Sequence, residues 1–180
     1  MTAAPEPRPI RSARLRYEPL GPDNLDAFHG LVQDAHVRRY MMDGHVFPRD
    51  WSAQHMRDSQ ALFARRGVGI WLAHEAASGG LVGFCGFAIL PSLPEPQLLY
   101  ALFERFSGRG FATEMARAAI AEARSQAGFA EIAADVDEVN AASVRILEKL
   151  GFGRVEVRHG AFGSLLVFRL ASSDTRGVEC

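Results

Sequence analysis

The amino-acid sequence predicts an α/β (α+β) fold, a central mixed, mostly antiparallel twisted sheet with helices on both faces. Three observations carry this expectation. The apolar pattern changes period along the chain in the order strand, two helices, three strands, helix, strand, helix, two strands, and such alternation buries both faces of a sheet. Two late segments, 111–127 and 140–150, repeat apolar residues near every 3.6 positions and are each followed by glycine, as helices with left-handed ends are. The 180 residues, 48% of them hydrophobic, suffice for one core and are too few for two ordinary domains.

Residues 1–13 are rich in Pro and Arg and are expected to be a disordered leader. Residues 14–170 are the expected single domain, and the polar residues 171–180 a flexible tail. Residues 14–20 alternate as a first strand, stopped by Gly21-Pro22. Asp23 is placed to cap a helix with apolar positions Leu25, Phe28, Leu31, Val32 and Ala35. Residues 34–50 are mixed, with Gly44 and Pro48 as breakers, and 52–66 reads as a second helix ended by Gly67. Strands follow at 70–74 and 81–90, joined by a hairpin at Ala76-Ala77-Ser78-Gly79-Gly80, then a loop at 91–96 and a strand at 97–103. Helix 111–127 presents Ala112, Met115, Ala116, Ala119, Ile120, Ala123 and Ala127 on one face, so it can lie close against a sheet. After Gly128 comes a strand at 131–135. Asn140 is a good N-cap for the next helix, and beyond Gly151 the ring of Phe152 is expected to fold back on Leu147. Residues 154–158 and 165–170 are the last strands.

Composition narrows the function. A formal net charge of −1 gives no basic footprint for nucleic acid and no basic helix for a membrane surface. No apolar run reaches the roughly 18 residues a membrane span needs, and no h-region marks a secretory signal. Cys85 lies in an apolar strand and Cys180 is the last residue, so no disulfide framework is expected and the cytoplasm is the default. The six histidines lack metal-ligand spacing, and Ser78 stands where the second His of a zinc-protease motif beginning at His74-Glu75 belongs. No metal is expected. A homodimer remains an open alternative to a monomer.

Arg105-Phe106-Ser107-Gly108-Arg109-Gly110 sits between a strand and the best helix of the chain. Two glycines let the backbone turn tightly, and the helix start offers unpaired N–H groups with a partial positive charge, a natural seat for pyrophosphate. The glycines alone are equally well read as a turn. A P-loop needs Gly-Lys-Ser/Thr, absent here, and a dinucleotide fingerprint needs Gly or Ala where Thr113 stands.

The loop, with its continuation Phe111-Ala112-Thr113-Glu114, resembles the [Gln/Arg]-x-x-Gly-x-[Gly/Ala] signature of the GNAT superfamily of N-acetyltransferases. Asn140-Ala141-Ala142-Ser143 with Leu150-Gly151-Phe152 resembles the second signature of that family, and Arg14-Leu15-Arg16 with Pro19-Leu20 its first strand. The resemblance runs from about 14 to 170 and is nearest to the branch containing ribosomal-protein-alanine and some antibiotic acetyltransferases. It implies the GNAT acyltransferase fold, with strands 97–103 and 131–135 splayed apart, and acetyl-CoA as co-substrate. Backbone groups of Leu102 and Phe103 would pair with the pantetheine arm, and amides from Ser107 through Gly108, Arg109, Gly110, Phe111 and Ala112 to Thr113 would hold the pyrophosphate. Arg105 opens the signature, Arg109 could meet a phosphate or be solvated, and Asn140 and Ser143 would face the arm and its sulfur.

The implied reaction is attack of a primary amine on the thioester carbonyl in a ternary complex. It needs a proton acceptor, donors for an oxyanion, expected at the gap after Leu102, and a proton for the leaving thiolate. Many relatives carry Glu-Ile/Leu-Gly-Tyr where this chain has Gln97-Leu98-Leu99-Tyr100, and Ile146 and Leu147 occupy the region of a frequent thiol-acid tyrosine. Glu95 lies in a loop between prolines. Ser143, with water, is left as the catalytic candidate. A site without a strong base suits an amine of low pKa, on a protein or peptide N-terminus or a small molecule such as an amino sugar. Residues 34–66 are the expected acceptor region, with Arg38, Arg39, Tyr40, Met41, Met42, His45 and Trp51 as lining candidates. The alternatives are a non-catalytic acyl-CoA-binding protein and, more remotely, a nucleotide or NAD protein.

Overall fold

The structure is a computed structural model that describes residues 7, 9–41, 44–160 and 163–171. Eight strands form one sheet: β1 (Ile10–Arg11), β2 (Leu15–Pro19), β3 (Ile70–Glu75), β4 (Leu81–Ile89), β5 (Pro96–Leu102), β6 (Glu131–Asp137), β7 (Gly153–Gly160) and β8 (Gly163–Ala171). Their order across the sheet is β1-β2-β3-β4-β5-β6-β8-β7. Every neighbouring pair is antiparallel except β5 and β6, which are parallel and share the single registered pair Gln97–Ala133. The mixed, mostly antiparallel sheet and its central splay are as the sequence predicts.

The helices are α1 (Leu25–Val32), α2 (Ala35–Met41), α3 (Arg49–Arg66), α4 (Phe111–Ala127) and α5 (Ala141–Lys149). Alternation along the strands divides the core in two. Leu98, Leu102, Ile132, Ala134 and Val136 pack with Phe111, Met115, Ala119 and Ala123 of α4 and with Leu147 of α5. On the other face Leu72, Phe84, Leu99 and Ala101 pack with Leu25, Phe28, Leu31 and Val37 of α1 and α2. The helix ends follow the glycines: Gly67, Gly128 and Gly151 all have positive φ, at 71°, 62° and 90°. Beyond Gly151 the Phe152 amide donates to the Leu147 carbonyl at 3.0 Å, and both side chains are buried.

Four expectations are corrected. Ile10 and Arg11, assigned to the leader, form a strand because they pair with Tyr17 and Arg16. The mixed stretch 34–50 contains α2, which starts after Asp34 because that carboxylate accepts the amides of His36 and Val37 at 3.0 and 3.3 Å; Ala35 therefore belongs to α2 and not to the preceding helix. Asp23 lies in a 3-10 turn, Pro22–Asn24, where Asn24 rather than Asp23 closes the turn by accepting the Gly21 amide at 2.9 Å. Helix α3 begins at Arg49, so Ser52 is inside it, fully buried and bonded to His29 Nδ1 at 2.9 Å. Residues 172–180, with Cys180, and Met42 lie outside the described residues, as do leader positions 1–6 and 8.

Candidate active site

The splay between β5 and β6 opens a cleft of about 820 Å³. Its lining comes from both faces of the sheet: Tyr100, Leu102, Val136 and Ser143 from the α4/α5 side, and His36, Tyr40, Leu99 and Asp135 from the α1/α2 side. The register of β4 with β5 sets what the backbone offers. The Phe103 amide donates to the Val82 carbonyl at 3.0 Å and Gly83 faces Leu102, so by the antiparallel alternation Leu98, Tyr100 and Leu102 turn their backbone groups toward β6. Tyr100 and Leu102 lie past Gln97–Ala133, the one registered pair between these strands, so no registered pair receives theirs. Leu102 therefore presents its backbone groups at the inner edge of β5 and lines the cleft. Phe103 does not: its N–H serves Val82, its carbonyl accepts from Phe106 at 2.9 Å, and it does not line the cleft.

The glycine loop closes one end of the cleft. Gly108 and Gly110 have φ of 72° and 78°, in the left-handed region that favours glycine. Gly110 is the N-cap of α4 and no side chain caps that helix, which leaves the amides of Gly110, Phe111, Ala112 and Thr113 without intrahelical acceptors. Gly108 and these four residues line the cleft. Ser107 also lines it; its hydroxyl stands 3.5 Å from His36 Nε2, and its amide donates to the Glu104 carbonyl at 2.9 Å. Arg105 and Arg109 do not line the cleft. The Arg105 guanidinium lies over Phe103 and Phe106, and Arg109 lies over Phe111 and approaches Glu75 at 3.4 Å.

One residue of the loop's continuation that the sequence did not assign to the site, Glu114, anchors the whole segment. Its carboxylate accepts Ser12 Oγ at 2.6 Å, the Arg14 amide at 2.8 Å and Arg14 Nε at 2.8 Å, and Arg14 Nη1 reaches the Arg109 carbonyl at 3.0 Å. Burial raises the Glu114 pKa, and these hydrogen bonds more than offset it, leaving the carboxyl below its ordinary value.

At the opposite wall Asn140 Oδ1 accepts the Ser143 amide at 3.2 Å, the expected N-cap, and both residues line the cleft. Tyr100, in sequence only one residue of a strand pattern, donates its hydroxyl to the Ser143 carbonyl at 3.4 Å. Burial pushes the Tyr100 phenol up to about 12, so it stays protonated through the neutral range.

The α1/α2 side holds a second polar group. Asp135, half-buried on β6, is hydrogen-bonded by Ser92, whose Oγ also accepts Gln97 Nε2 at 2.9 Å. Burial raises the Asp135 pKa beyond what Ser92 and the nearby Arg158 guanidinium take back. Gln97 is fully buried, does not line the cleft and serves to hold Ser92. Glu95 is also outside the cleft, paired with Arg169 at 2.6 Å. Of the named lining candidates in the expected acceptor region, Tyr40 and Met41 line the cleft, joined by His36 and Val37 of the same region. Arg38 instead bonds the Gln33 and Gly44 carbonyls, Arg39 covers Tyr40, and Trp51 stacks between Phe47 and His55, with His45 exposed beside Phe47. Among the described residues no group of three His, Cys, Asp or Glu side chains is arranged to hold a metal, and no helix is long and apolar enough to cross a membrane.

Residues 14–153 match the profile of the acetyltransferase (GNAT) domain. The chain belongs to the GNAT acetyltransferase family. Among curated relatives of this GNAT chain, YkkB of Bacillus subtilis, uncharacterised, is 33% identical over 107 residues, 57% of this chain and 59% of that protein. An Aspergillus fumigatus protein named FsC-acetyl coenzyme A-N(2)-transacetylase is 27% identical over 165 residues, 87% of this chain and 69% of its own length. The chain thus spans about 59% of the first of these relatives. The fold is also that of RimL, a ribosomal L7/L12 alpha-N-protein acetyltransferase solved with coenzyme A, with a TM-score of 0.76, 17% identity and coverage of 91% of this chain and 98% of RimL. The GNAT family implies acetyl-CoA as donor. The open amides of α4 and the unpaired inner edge of β5 suit its pyrophosphate and its amide-bearing arm.

Proposed function

We propose that this GNAT protein is a cytoplasmic N-acetyltransferase that moves the acetyl group of acetyl-CoA to a primary amine of low basicity by direct attack in a ternary complex. The acceptor is an α-amine at a peptide or protein N-terminus or the amine of a small molecule such as an amino sugar. The observation that carries the reading is the cleft itself, open to both faces of the sheet with coenzyme-type groups on one side and a polar wall on the other. The arm would lie along Leu102, the pyrophosphate on the amides of Gly108 and Gly110 to Thr113, and Asn140 and Ser143 beside the sulfur. Leu102 N–H would receive the oxyanion. Ser143, with the Tyr100 phenol beside it, would return a proton to the thiolate. An α-amine, with a pKa near 8, is cheaper to deprotonate than a lysine near 10.4 by about 3 kcal/mol. RimL and the fungal relative agree in name, one with alpha-N-protein and the other with N(2) acetylation.

A second reading, a non-catalytic acyl-CoA-binding protein, is favoured by Gln97 and Leu99 at positions where relatives carry Glu and Gly. Thermal unfolding with acetyl-CoA, coenzyme A, NAD and ATP in parallel tests the site. At about 100 times its dissociation constant a ligand adds roughly 2.7 kcal/mol. Stabilisation by the two coenzyme A ligands alone is expected, lost in Gly110→Glu, where a side chain must enter the left-handed region. Stabilisation by NAD or ATP instead overturns the reading. Release of free thiol on adding α-amines then separates enzyme from binder.

A further inference from the structure

We infer that Asp135 is the group that receives the acceptor amine and takes its proton, from the α1/α2 side of the splayed strands. The inference rests on the acetyl-transfer reading above and names a residue for it.

Asp135 follows Ala133 on the face of β6 opposite Ile132, Ala134 and Val136, which pack toward α4. Its carboxylate therefore lies across the sheet from the side of Asn140 and Ser143, yet borders the same cleft. His36 and Tyr40 line the same side of the cleft as Asp135, so an amine entering there has this carboxylate to pair with. The carboxylate is also held in place. Gln97 Nε2 donates to Ser92 Oγ at 2.9 Å, so the Ser92 hydroxyl hydrogen is free to point at Asp135. Arg158 fixes this loop through the Ser92 carbonyl and is itself paired with Glu156 at 2.8 Å. The carboxylate that the family pattern places at position 97 is thus supplied here from the neighbouring strand, and Gln97 orients the serine that orients it.

The step balances simply. The acceptor arrives as an ammonium and pairs with the Asp135 carboxylate, which takes one proton and passes it to solvent. The freed nitrogen lone pair forms the N–C bond to the acetyl carbonyl carbon. When the tetrahedral intermediate collapses the C–S bond breaks, the second amine proton is lost and the thiolate is protonated, giving amide and free thiol. Burial raises the proton affinity of Asp135 above that of an exposed carboxylate, which makes it a better acceptor.

The test uses the full chain with acetyl-CoA and two probe amines, a short peptide with a free N-terminal alanine and glucosamine. Asp135→Asn should keep its acetyl-CoA-induced thermal shift while kcat falls about 10²- to 10⁴-fold, the usual range for a lost acid–base group, and kcat/KM should lose its acidic limb. Asp135→Glu should recover part of kcat. Other titratable or charged groups face this space: Asp137 on β6, Arg158 on β7, His36 and Tyr40 on α2, Tyr100 on β5, and Arg145 and Lys149 on α5. Ser92→Ala separates them. It removes a hydrogen bond that favours the ionised carboxylate, so the acidic limb should move to higher pH. A limb unmoved in Ser92→Ala, or Asp135→Asn with unchanged kcat and profile, assigns the proton to another group and overturns the inference. Wild type that binds acetyl-CoA but turns over neither amine overturns the transfer reading instead, and this role with it.

Discussion

At the residue scale the site depends on one carboxylate that touches no substrate in the proposed scheme. Glu114 joins the start of α4 to Ser12 and Arg14 and so sets where the glycine loop stands. Its pKa is depressed on folding. A depressed carboxyl contributes stability that is present above its unfolded pKa, near 4.3, and is lost as pH falls through its folded value. Glu114→Gln should therefore cost about 1.5–3 kcal/mol at neutral pH, toward the lower end because Arg14 is half exposed. The gap from wild type should narrow as pH drops below about 4, in urea titrations run at several pH values; a constant gap would remove the carboxylate from the account. Glu114 directly follows the glycine loop and Phe111-Ala112-Thr113, yet its partners lie about a hundred residues away, and no local pattern announces such a contact. Asp135 was silent for a related reason: a lone acid in a strand reads as a solvated position until the opposite loop closes over it.

At the element scale the long periodic helices and the glycines that end them were legible, because each signal is local. Helix α2 was not. It has seven residues, of which Val37 alone is buried, so its apolar period hardly repeats, and what starts it is the side chain of Asp34. The two-residue β1 exists only through its pairing with β2. Helix α5 carries a prediction that separates scaffold from ligand contact. Asn140→Ala removes the cap on Ser143 N–H and should cost about 1 kcal/mol. Asn140→Ser restores a capping oxygen and most of that stability, but its shorter side chain should leave the affinity for coenzyme A reduced. Denaturant midpoints and calorimetric titration measure the two effects. Equal recovery of both would make Asn140 a cap and nothing more.

At the scale of the molecule, the sequence implied a sheet split between its fifth and sixth strands, but the division of labour across that split appears only in three dimensions. The α4/α5 side carries the open amides, Asn140 and Ser143, while the α1/α2 side carries His36, Tyr40, Leu99 and Asp135. In the proposed scheme donor and acceptor occupy this one cleft at once from opposite faces, and no covalent acetyl-enzyme is required. Among the described residues none that lines the cleft is a cysteine. Cys85, the cysteine among the described residues, is fully buried away from the cleft, and burial pushes its thiol pKa far up, which keeps it protonated and inert. Initial-rate kinetics should therefore give intersecting double-reciprocal lines, as a ternary complex requires, and Cys85→Ser should leave kcat within about threefold while lowering stability by roughly 1–3 kcal/mol, because a hydroxyl replaces a thiol in an apolar core. Parallel lines, the mark of a ping-pong mechanism, or trapping of an acetylated protein after rapid mixing with acetyl-CoA alone, would show that the two faces work in turn rather than together.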